Sequence, residues 1–374
     1  MPRIEVTVSC PVHDSFRVQQ VAGMFDVPLA HRASRTFAVE VPSANEPWQI
    51  GLIVGPSGGG KTTIARRAFG QALYERRKWP DDRAVVDCFG SLPARTITGL
   101  LTAVGFGSPP AWVRPYHVLS RGEQFRCDLA RALAAAVERE TDTGGAGDSV
   151  LNQPLVAFDE YTSVVDRTVA QIGSAAIARS IRGGKLRCRL VAVTCHYDVA
   201  EWLEPDWVVD MQTRTCQRRR LRRPAIALEL HRAPRRLWNV FAPHHYLGGR
   251  LSVAARCYAA WWRGRPVAFC ATLPVIGRKN HWRITRIVTL PDYQGVGIGT
   301  RLAEAVAELH RESGCRINVT ASHPALLAHC TRSDHWRTVR VLLRGSGDAR
   351  RFIGNYRSSA GRSVVSFEYL GNRS

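Results

Sequence analysis

Gly55-Pro56-Ser57-Gly58-Gly59-Gly60-Lys61-Thr62-Thr63 joins an apolar run, residues 50–54, to a helical pattern over 64–74. A strand, a glycine-rich turn and a helix N-terminus in that order form a phosphate cradle. Backbone N–H groups and the helix dipole face the anion, Lys61 reaches the terminal phosphates, and Thr62 offers its hydroxyl to Mg2+. Gly55, Gly58 and Gly60 let the backbone approach phosphate with no Cβ in the way, and Ser57 and Thr63 complete the string. The spacing predicts a bound nucleoside triphosphate. A second group closes an apolar run at 155–158 with Asp159 and Glu160. Such a strand end places Asp159 near a nucleotide-bound Mg2+ and Glu160 where it polarises the attacking water. The plain alternative is a strand that meets solvent at acidic residues. Another apolar run, 190–195, ends in His196. The third group, residues 291–299, is again a glycine-rich turn opening a helix, and there Gln294, Gly295, Gly297 and Gly299 suit a pyrophosphate. No Lys-Ser/Thr pair comes after it, so a second ATP site is not expected, and a bare GxGxG also occurs in ordinary turns. His244-His245-Tyr246 is the remaining reactive cluster, able to accept an amine proton or simply to cap a helix.

The elements that must position these groups are read from hydropathy patterning. Residues 4–9 and 37–41 alternate as strands, 84–89 has a short buried-strand pattern, and 94–104 reads as a helix broken at 105–110. Leu119-Ser120-Arg121-Gly122-Glu123-Gln124 runs into an amphipathic helix through residue 135, and 141–148 is a polar surface loop. The run 217–224, with five arginines at 218–223, is a junction, and beyond it the pattern restarts. Residues 225–230 read as a strand and 235–246 as a helix. A hairpin comes next, 251–262 with 266–274 around Arg263-Gly264-Arg265, and then a strand at 282–290. A helix at 300–311, strands at 316–321 and 339–343 and a helix at 322–333 complete the chain.

Composition narrows the class. The chain has 374 residues, 45% of them hydrophobic and 22% charged, which suits two globular domains. No apolar run of membrane-spanning length and no signal-peptide core occurs, and the ten cysteines form no CxxC pair. A cytoplasmic protein with reduced thiols is expected, without membrane partner, disulfide framework or metal cluster. The formal charge is +21 with a pI near 10.4, and only four of the 52 basic residues are lysine. Arginine contacts phosphate in bidentate fashion and stacks on bases, so nucleic acid is the expected polyanionic partner. A GC-rich genome produces the same arginine bias.

The order of pieces in the first half resembles the ABC-type ATPases. Residues 55–62 match Walker A, 119–123 the signature motif as LSRGE, 155–160 Walker B, 163–166 the D-loop, and His196 the switch histidine. LSRGE is closer to the signature of soluble SMC-like and translation-factor ATPases than to that of transporters. Arg121 stands where the family has a glycine, while Ser120 and Gly122, its γ-phosphate contacts, remain. No Q-loop glutamine is found; the corresponding place carries Asp87. About 57 residues separate Thr62 from Ser120, a shortened helical subdomain. The resemblance implies ATP with Mg2+ at Thr62 and Asp159, Glu160 and His196 in hydrolysis, and an ATP-dependent homodimer in which Ser120 and Gly122 of one copy face Lys61 of the other.

Residues 226–374 resemble the GNAT acyltransferases, chiefly through LPDYQGVGIGTRL at 290–302. The resemblance implies that Gln294, Gly297 and Gly299 hold the pyrophosphate of acetyl-CoA or another acyl-CoA. The family often uses a tyrosine on its last helix as general acid. Here that place holds Cys330-Thr331, and Tyr356 is the nearest alternative. His245 and Tyr246 resemble the His-Tyr pair of the GNAT-like Mom DNA-modification proteins of phages. The expected architecture is α/β: an ABC-type P-loop domain over 1–216, a basic linker over 217–225 and a GNAT-like domain over 226–374. The expected function is ATP hydrolysis joined to N-acylation of an amine on nucleic acid or a nucleic-acid-bound target. The alternatives are Mom-like modification of DNA bases, a non-catalytic acyl-CoA sensor, and a transporter ATPase subunit.

Overall fold

The computed structural model describes residues 2–27, 32–142, 150–218, 226–245, 250–342 and 363–371. The chain folds into two compact units between which the polypeptide is interleaved. One holds residues 1–76, 136–163 and 187–222; the other holds 77–135, 164–186 and 223–374.

The first unit opens with a two-stranded antiparallel ribbon, β1 (Arg3–Pro11) with β2 (Arg32–Glu40). Its main sheet has five strands: β3 (Ile50–Val54), β4 (Leu155–Phe158), β5 (Arg189–Thr194), β6 (Trp207–Asp210) and β7 (Thr215–Arg218). Their spatial order is β4-β5-β3-β6-β7, and only β7 is antiparallel. Every residue of β3 and β5 is buried, as expected of parallel strands covered on both faces. The helices α1 (Phe16–Phe25), α2 (Lys61–Phe69) and α7 (Val199–Leu203) belong to the same unit. The helical pattern over 64–74 ends at Phe69 and gives way at Gly70 to a single 3-10 turn. Trp48 meets Trp207 edge-on at 5.2 Å, and Phe69 stacks on Trp207 at 6.1 Å. Asp206 Oδ2 accepts from the backbone N–H groups of Gln49 and Ile50 at 2.8 and 3.0 Å, fixing the entry to β3.

The second unit has a helical part and a seven-stranded sheet. The helices are α3 (Ala94–Ala103), α4 (Pro109–Trp112), α5 (Arg121–Asp142, whose last turns enter the first unit) and α6 (Arg167–Arg182). Residues 84–89 are not a strand but contain a 3-10 turn, Val85–Cys88. Val85 and Phe89, four residues apart, are the buried positions, a helical spacing, and only Ala84 makes a bridge, to Pro115. Trp79 stacks on Tyr116 at 4.7 Å, and both donate to Asp128, at 2.7 and 3.1 Å.

The sheet comprises β8 (Glu229–Arg232), β9 (Arg256–Trp262), β10 (Arg265–Pro274), β11 (His281–Thr289), β12 (Arg316–Ala321), β13 (Trp336–Leu342) and β14 (Val364–Tyr369), in order β13-β14-β12-β11-β10-β9-β8. Only β11 and β12 pair in parallel. α9 (Ile298–Glu312) packs Leu302, Ala303, Val306 and Ala307 into the core of this sheet, at the spacing of one helical face. α10 (Pro324–Arg332) comes after β12. The expected strand at 225–230 forms instead at Glu229–Arg232, where it pairs with β9. The expected helix over 235–246 is broken into short turns at Arg235–Leu237, α8 (Trp238–Phe241) and Ala242–His244. Pro243 has no N–H to continue the ladder. The linker's residues 219–225 lie outside the described residues.

Gly51 is a sharp test of the first core. A Cβ there would stand 2.0 Å from the Trp207 ring, which Trp48 and Phe69 hold in place. Gly51→Ala is expected to destabilise this unit by about 3 kcal/mol, read from denaturant midpoints, because a packed core cannot make room cheaply.

Candidate functional site

In an open parallel sheet the strand C-termini share one edge, and ligands bind there. Because β3, β4 and β5 are parallel neighbours, the loop after Val54, the pair Asp159–Glu160 after Phe158 and His196 after Thr194 all leave that same edge. Gly55, Gly58 and Gly60 have φ values of 149°, 70° and 84°. A Cβ on Gly60 would stand 2.3 Å from the Phe37 ring, so this position needs glycine for space as well as for conformation. Gly60 is the N-cap of α2 and makes no side-chain cap, which leaves the first-turn N–H groups to face the loop. Lys61 Nζ donates to Pro56 O at 2.8 Å, and Arg35 donates to Gly58 O at 3.2 Å. Ser57 is exposed, and Thr62 and Thr63 are half-buried in the first turn of α2.

The acidic pair sits in a strained turn. Glu160 and Thr162 have φ values of 52° and 64°, rare for side chains with a Cβ. Asp159 Oδ1 accepts from Glu160 N at 2.8 Å, and Arg76 lies 3.7 Å from the Glu160 carboxylate. Buried Thr162 Oγ1 stands 3.4 Å from His196 Nδ1, joining this turn to the histidine after β5. The Thr62 hydroxyl and the Asp159 carboxylate are hard oxygen donors of the kind Mg2+ prefers, and that ion keeps water and substrate oxygens for its other positions.

Ser120 and Gly122 open α5 in the second unit. Ser120 N and Oγ donate to Glu123 Oε2 at 3.0 Å, and Glu123 N donates to Ser120 Oγ at 3.3 Å. This reciprocal capping box gives Glu123 a role local to the helix start.

The other glycine-rich loop leaves β11. Gly295 and Gly297 have φ values of 89° and 91°, and Gly297 is the N-cap of α9, again with no side-chain cap. Gln294 is held at both ends of its amide: Nε2 donates to Thr289 O at 2.8 Å and Oε1 accepts from Gly107 N at 2.6 Å. A Cβ on Gly299 would stand 2.8 Å from Thr289 Oγ1. Two further features had no signal in the sequence. β11 carries a bulge opposite Ala271–Thr272, where Thr285 Oγ1 donates to Ala271 O at 3.2 Å. Its pairing with β12 covers only His281–Ile284, although it pairs with β10 as far as Thr289. β11 and β12 therefore part ahead of the glycine-rich turn, and β11 runs on from Ile284 to Thr289 paired only with β10 among the described residues.

Residues 220–329, which include this loop, match the family model of the acetyltransferase (GNAT) family. Similar solved structures divide between the two halves. An IAA acetyltransferase from Bacillus cereus is 16% identical over 38% of this chain and 99% of its own, with a TM-score of 0.29. A GNAT acetyltransferase from Elizabethkingia anophelis with acetyl-CoA bound is 10% identical over 38% of this chain and 98% of its own, with a TM-score of 0.27. A dimeric bacterial ABC transporter cassette is 14% identical over 50% of this chain and 90% of its own, with a TM-score of 0.35. No curated protein matches the chain. The fold is α/β in both units, with a five-stranded, mostly parallel sheet in the first and a seven-stranded mixed sheet in the second. Among the described residues no helix is long and apolar enough to cross a membrane.

Within the GNAT domain, His245 packs against Trp238 with ring centroids 5.6 Å apart. Burial, with the nearby Arg286 and His323, pulls its pKa down to about 3, so the imidazole is neutral and weakly basic at pH 7. Burial also lowers the pKa of His244. Tyr246 and Tyr356 lie outside the described residues. His323 caps α10 by accepting from Ala325 N at Nδ1, which leaves Nε2–H to donate to Gly107 O at 3.2 Å. Glu304 of α9 accepts from His329 Nε2 at 2.8 Å and lies 3.6 Å from His335. Residues 304 and 329 are far apart in the chain, and sequence reasoning had no spacing by which to pair them.

The depressed pKa of His245 has a stability consequence. A group whose folded pKa falls below its ordinary 6.5 contributes stability above that value and loses it as pH falls toward about 3. Between pH 7 and pH 5 the wild type is expected to lose roughly 2 kcal/mol more than His245→Asn, compared by denaturant midpoints at the two pH values.

Proposed function

We propose that this chain hydrolyses ATP through residues 1–216 and, through residues 226–374, moves an acyl group from acyl-CoA to an amine, the two segments joined by the basic stretch 217–225. The observation that carries this reading is one local geometry used twice. Gly60 at φ 84° and Gly297 at φ 91° each open a helix with no side-chain cap, at the end of a buried strand or of the strand beside the splay. Each is a backbone anion cradle. They differ in the residues just after the glycine: Lys61-Thr62 suits a nucleoside triphosphate with Mg2+, while Ile298-Gly299 suits a pyrophosphate held by backbone alone.

In the ATPase part, Thr62 and Asp159 would hold Mg2+, which neutralises charge on the phosphate oxygens. Glu160 orients the attacking water, and His196, tied to the same turn through Thr162, lies beside it. In the acyltransferase part the amine nitrogen attacks the thioester carbonyl, the C–S bond breaks, and the CoA thiolate leaves and takes up a proton. The amine must first lose its own proton, and His245, with Tyr246 or Tyr356, is the proposed proton-handling set, directly or through water. The net charge of +21 favours an amine on nucleic acid or on a protein bound to it, and ATP-bound copies are proposed to pair on that target. The second reading is an acyl-CoA sensor without catalysis. It is favoured by the very weak basicity of His245.

Two variants of the full chain test the assignment. Glu160→Gln should bind ATP and lose at least about 100-fold in turnover, a typical loss for a positioned acid or base. Normal steady-state hydrolysis would remove Glu160 from the mechanism. Gly297→Val should abolish acetyl-CoA binding in calorimetry while ATP binding persists, because a branched side chain blocks the backbone's approach. Transfer of labelled acetyl groups to duplex DNA or structured RNA, but not with heparin present as the only polyanion, is the outcome that distinguishes the enzyme from the sensor.

A further inference from the structure

The phosphate loop of the GNAT domain is not built from that domain alone. α6 lies outside the family-matched segment yet belongs to the same compact unit. Three residues along one of its faces, 172, 176 and 179, keep helical spacing and meet the domain in turn. Ile172 joins the core formed by the sheet and α9. Ala176 Cβ lies 2.5 Å from where a Cβ on Gly295 would stand, and the Gly105 backbone is 2.7 Å from the same point. Arg179 Nη1 lies 2.3 Å from where a side chain on Gly297 would begin. The guanidinium therefore rests against the loop's backbone at the N-terminus of α9, in space that a side chain at 297 would have to share.

Two further contacts hold the loop on this helical part. Gln294 accepts from Gly107 N, and Asp292 lies 3.6 Å from the fully buried Arg126 of α5. Arg179 is not alone in its charge. Burial, then Arg179 and Arg332, push the Lys185 ammonium pKa down, and no carboxylate is among the groups acting on it. Lys185 thus lies within electrostatic reach of two other cations, Arg179 and Arg332.

We propose that Arg179, flanked by Lys185 and Arg332, binds the phosphates of acyl-CoA, so that a helix outside the GNAT segment completes the GNAT phosphate site. The inference rests on the acyl-CoA reading above. A guanidinium forms paired hydrogen bonds to phosphate oxygens, and the N–H groups at the start of α9 approach the same anion from the other side. Arg179 is exposed and lies on the surface of α6, so its replacement leaves the core intact.

The test is calorimetry on the full chain with acetyl-CoA and with S-acetylpantetheine, which carries the thioester but no phosphate. Arg179→Gln should weaken acetyl-CoA binding at least about tenfold and leave S-acetylpantetheine unchanged, as loss of a charge-assisted contact predicts. Arg179→Lys should recover part of the loss, and Lys185→Gln with Arg332→Gln should give a smaller loss in the same direction. Wild-type affinity for acetyl-CoA in Arg179→Gln would overturn the proposal. So would equal losses for both ligands, which would make Arg179 a support for the loop, or tighter acetyl-CoA binding, which would make it an occupant of the site. A wild type that binds neither ligand would overturn the acyl-CoA reading itself, whereas a wild type that binds both and a variant that does too would remove Arg179 alone.

Discussion

The structure depends on one constraint, that backbone must come closer to its surroundings than any side chain permits at the heads of two helices. Gly60 abuts the Phe37 ring and Gly297 abuts the Arg179 guanidinium, each in the left-handed region and each opening a helix. A helix start without a capping side chain keeps its N–H groups for an anion, and the dipole adds to their pull. Both candidate sites grow from this feature. In the first unit the parallel order of β3, β4 and β5 brings an acidic turn and a histidine to the same sheet edge. In the second, β11 and β12 part ahead of the loop.

The interleaving of the chain gives the second unit its character. Residues 77–135 and 164–186 precede the segment matched by the acetyltransferase family model but fold in the same unit as it. The contacts that bind them are close and polar as well as apolar. Gly105 and Gly295 meet backbone to backbone, Gly107 is bridged by Gln294 and His323, and Asp292 stands near buried Arg126. A buried guanidinium is tolerated only beside an opposite charge, so Asp292 ties the loop to α5. Burial raises the Asp292 pKa while Arg126 opposes that rise, the balance expected of a half-buried pair. This pair links α5 to the glycine-rich turn before α9.

Charge works at two scales. The net +21 draws polyanions without choosing among them, whereas the arginines of the second unit have particular neighbours. Arg316 and Arg337, on the strands either side of β14, both pair with its buried Glu368, and Arg256 lies over Trp282. Such residues serve the fold, and they subtract from the number available to an outside anion.

The sequence by itself determined the two glycine-rich turns that open helices, the acidic strand end and much of the order of elements around them. Those signals are local: a glycine at a required left-handed position, an apolar run of strand length and a helical period are all written in consecutive residues. It also placed α9, β12 and α10 within two residues of where they form. It misread 84–89 as a strand, because an apolar run does not reveal whether a neighbouring strand exists to pair with it. It read 235–246 as one helix although Pro243 interrupts the ladder. Only the tertiary structure decided that Gln294 reaches Gly107, that Arg179 reaches Gly297, that Glu304 holds His329 and that β11 and β12 part after Ile284. Those facts join residues up to 187 positions apart. Nothing in the spacing of either partner encodes such a meeting, which arises only when whole elements pack.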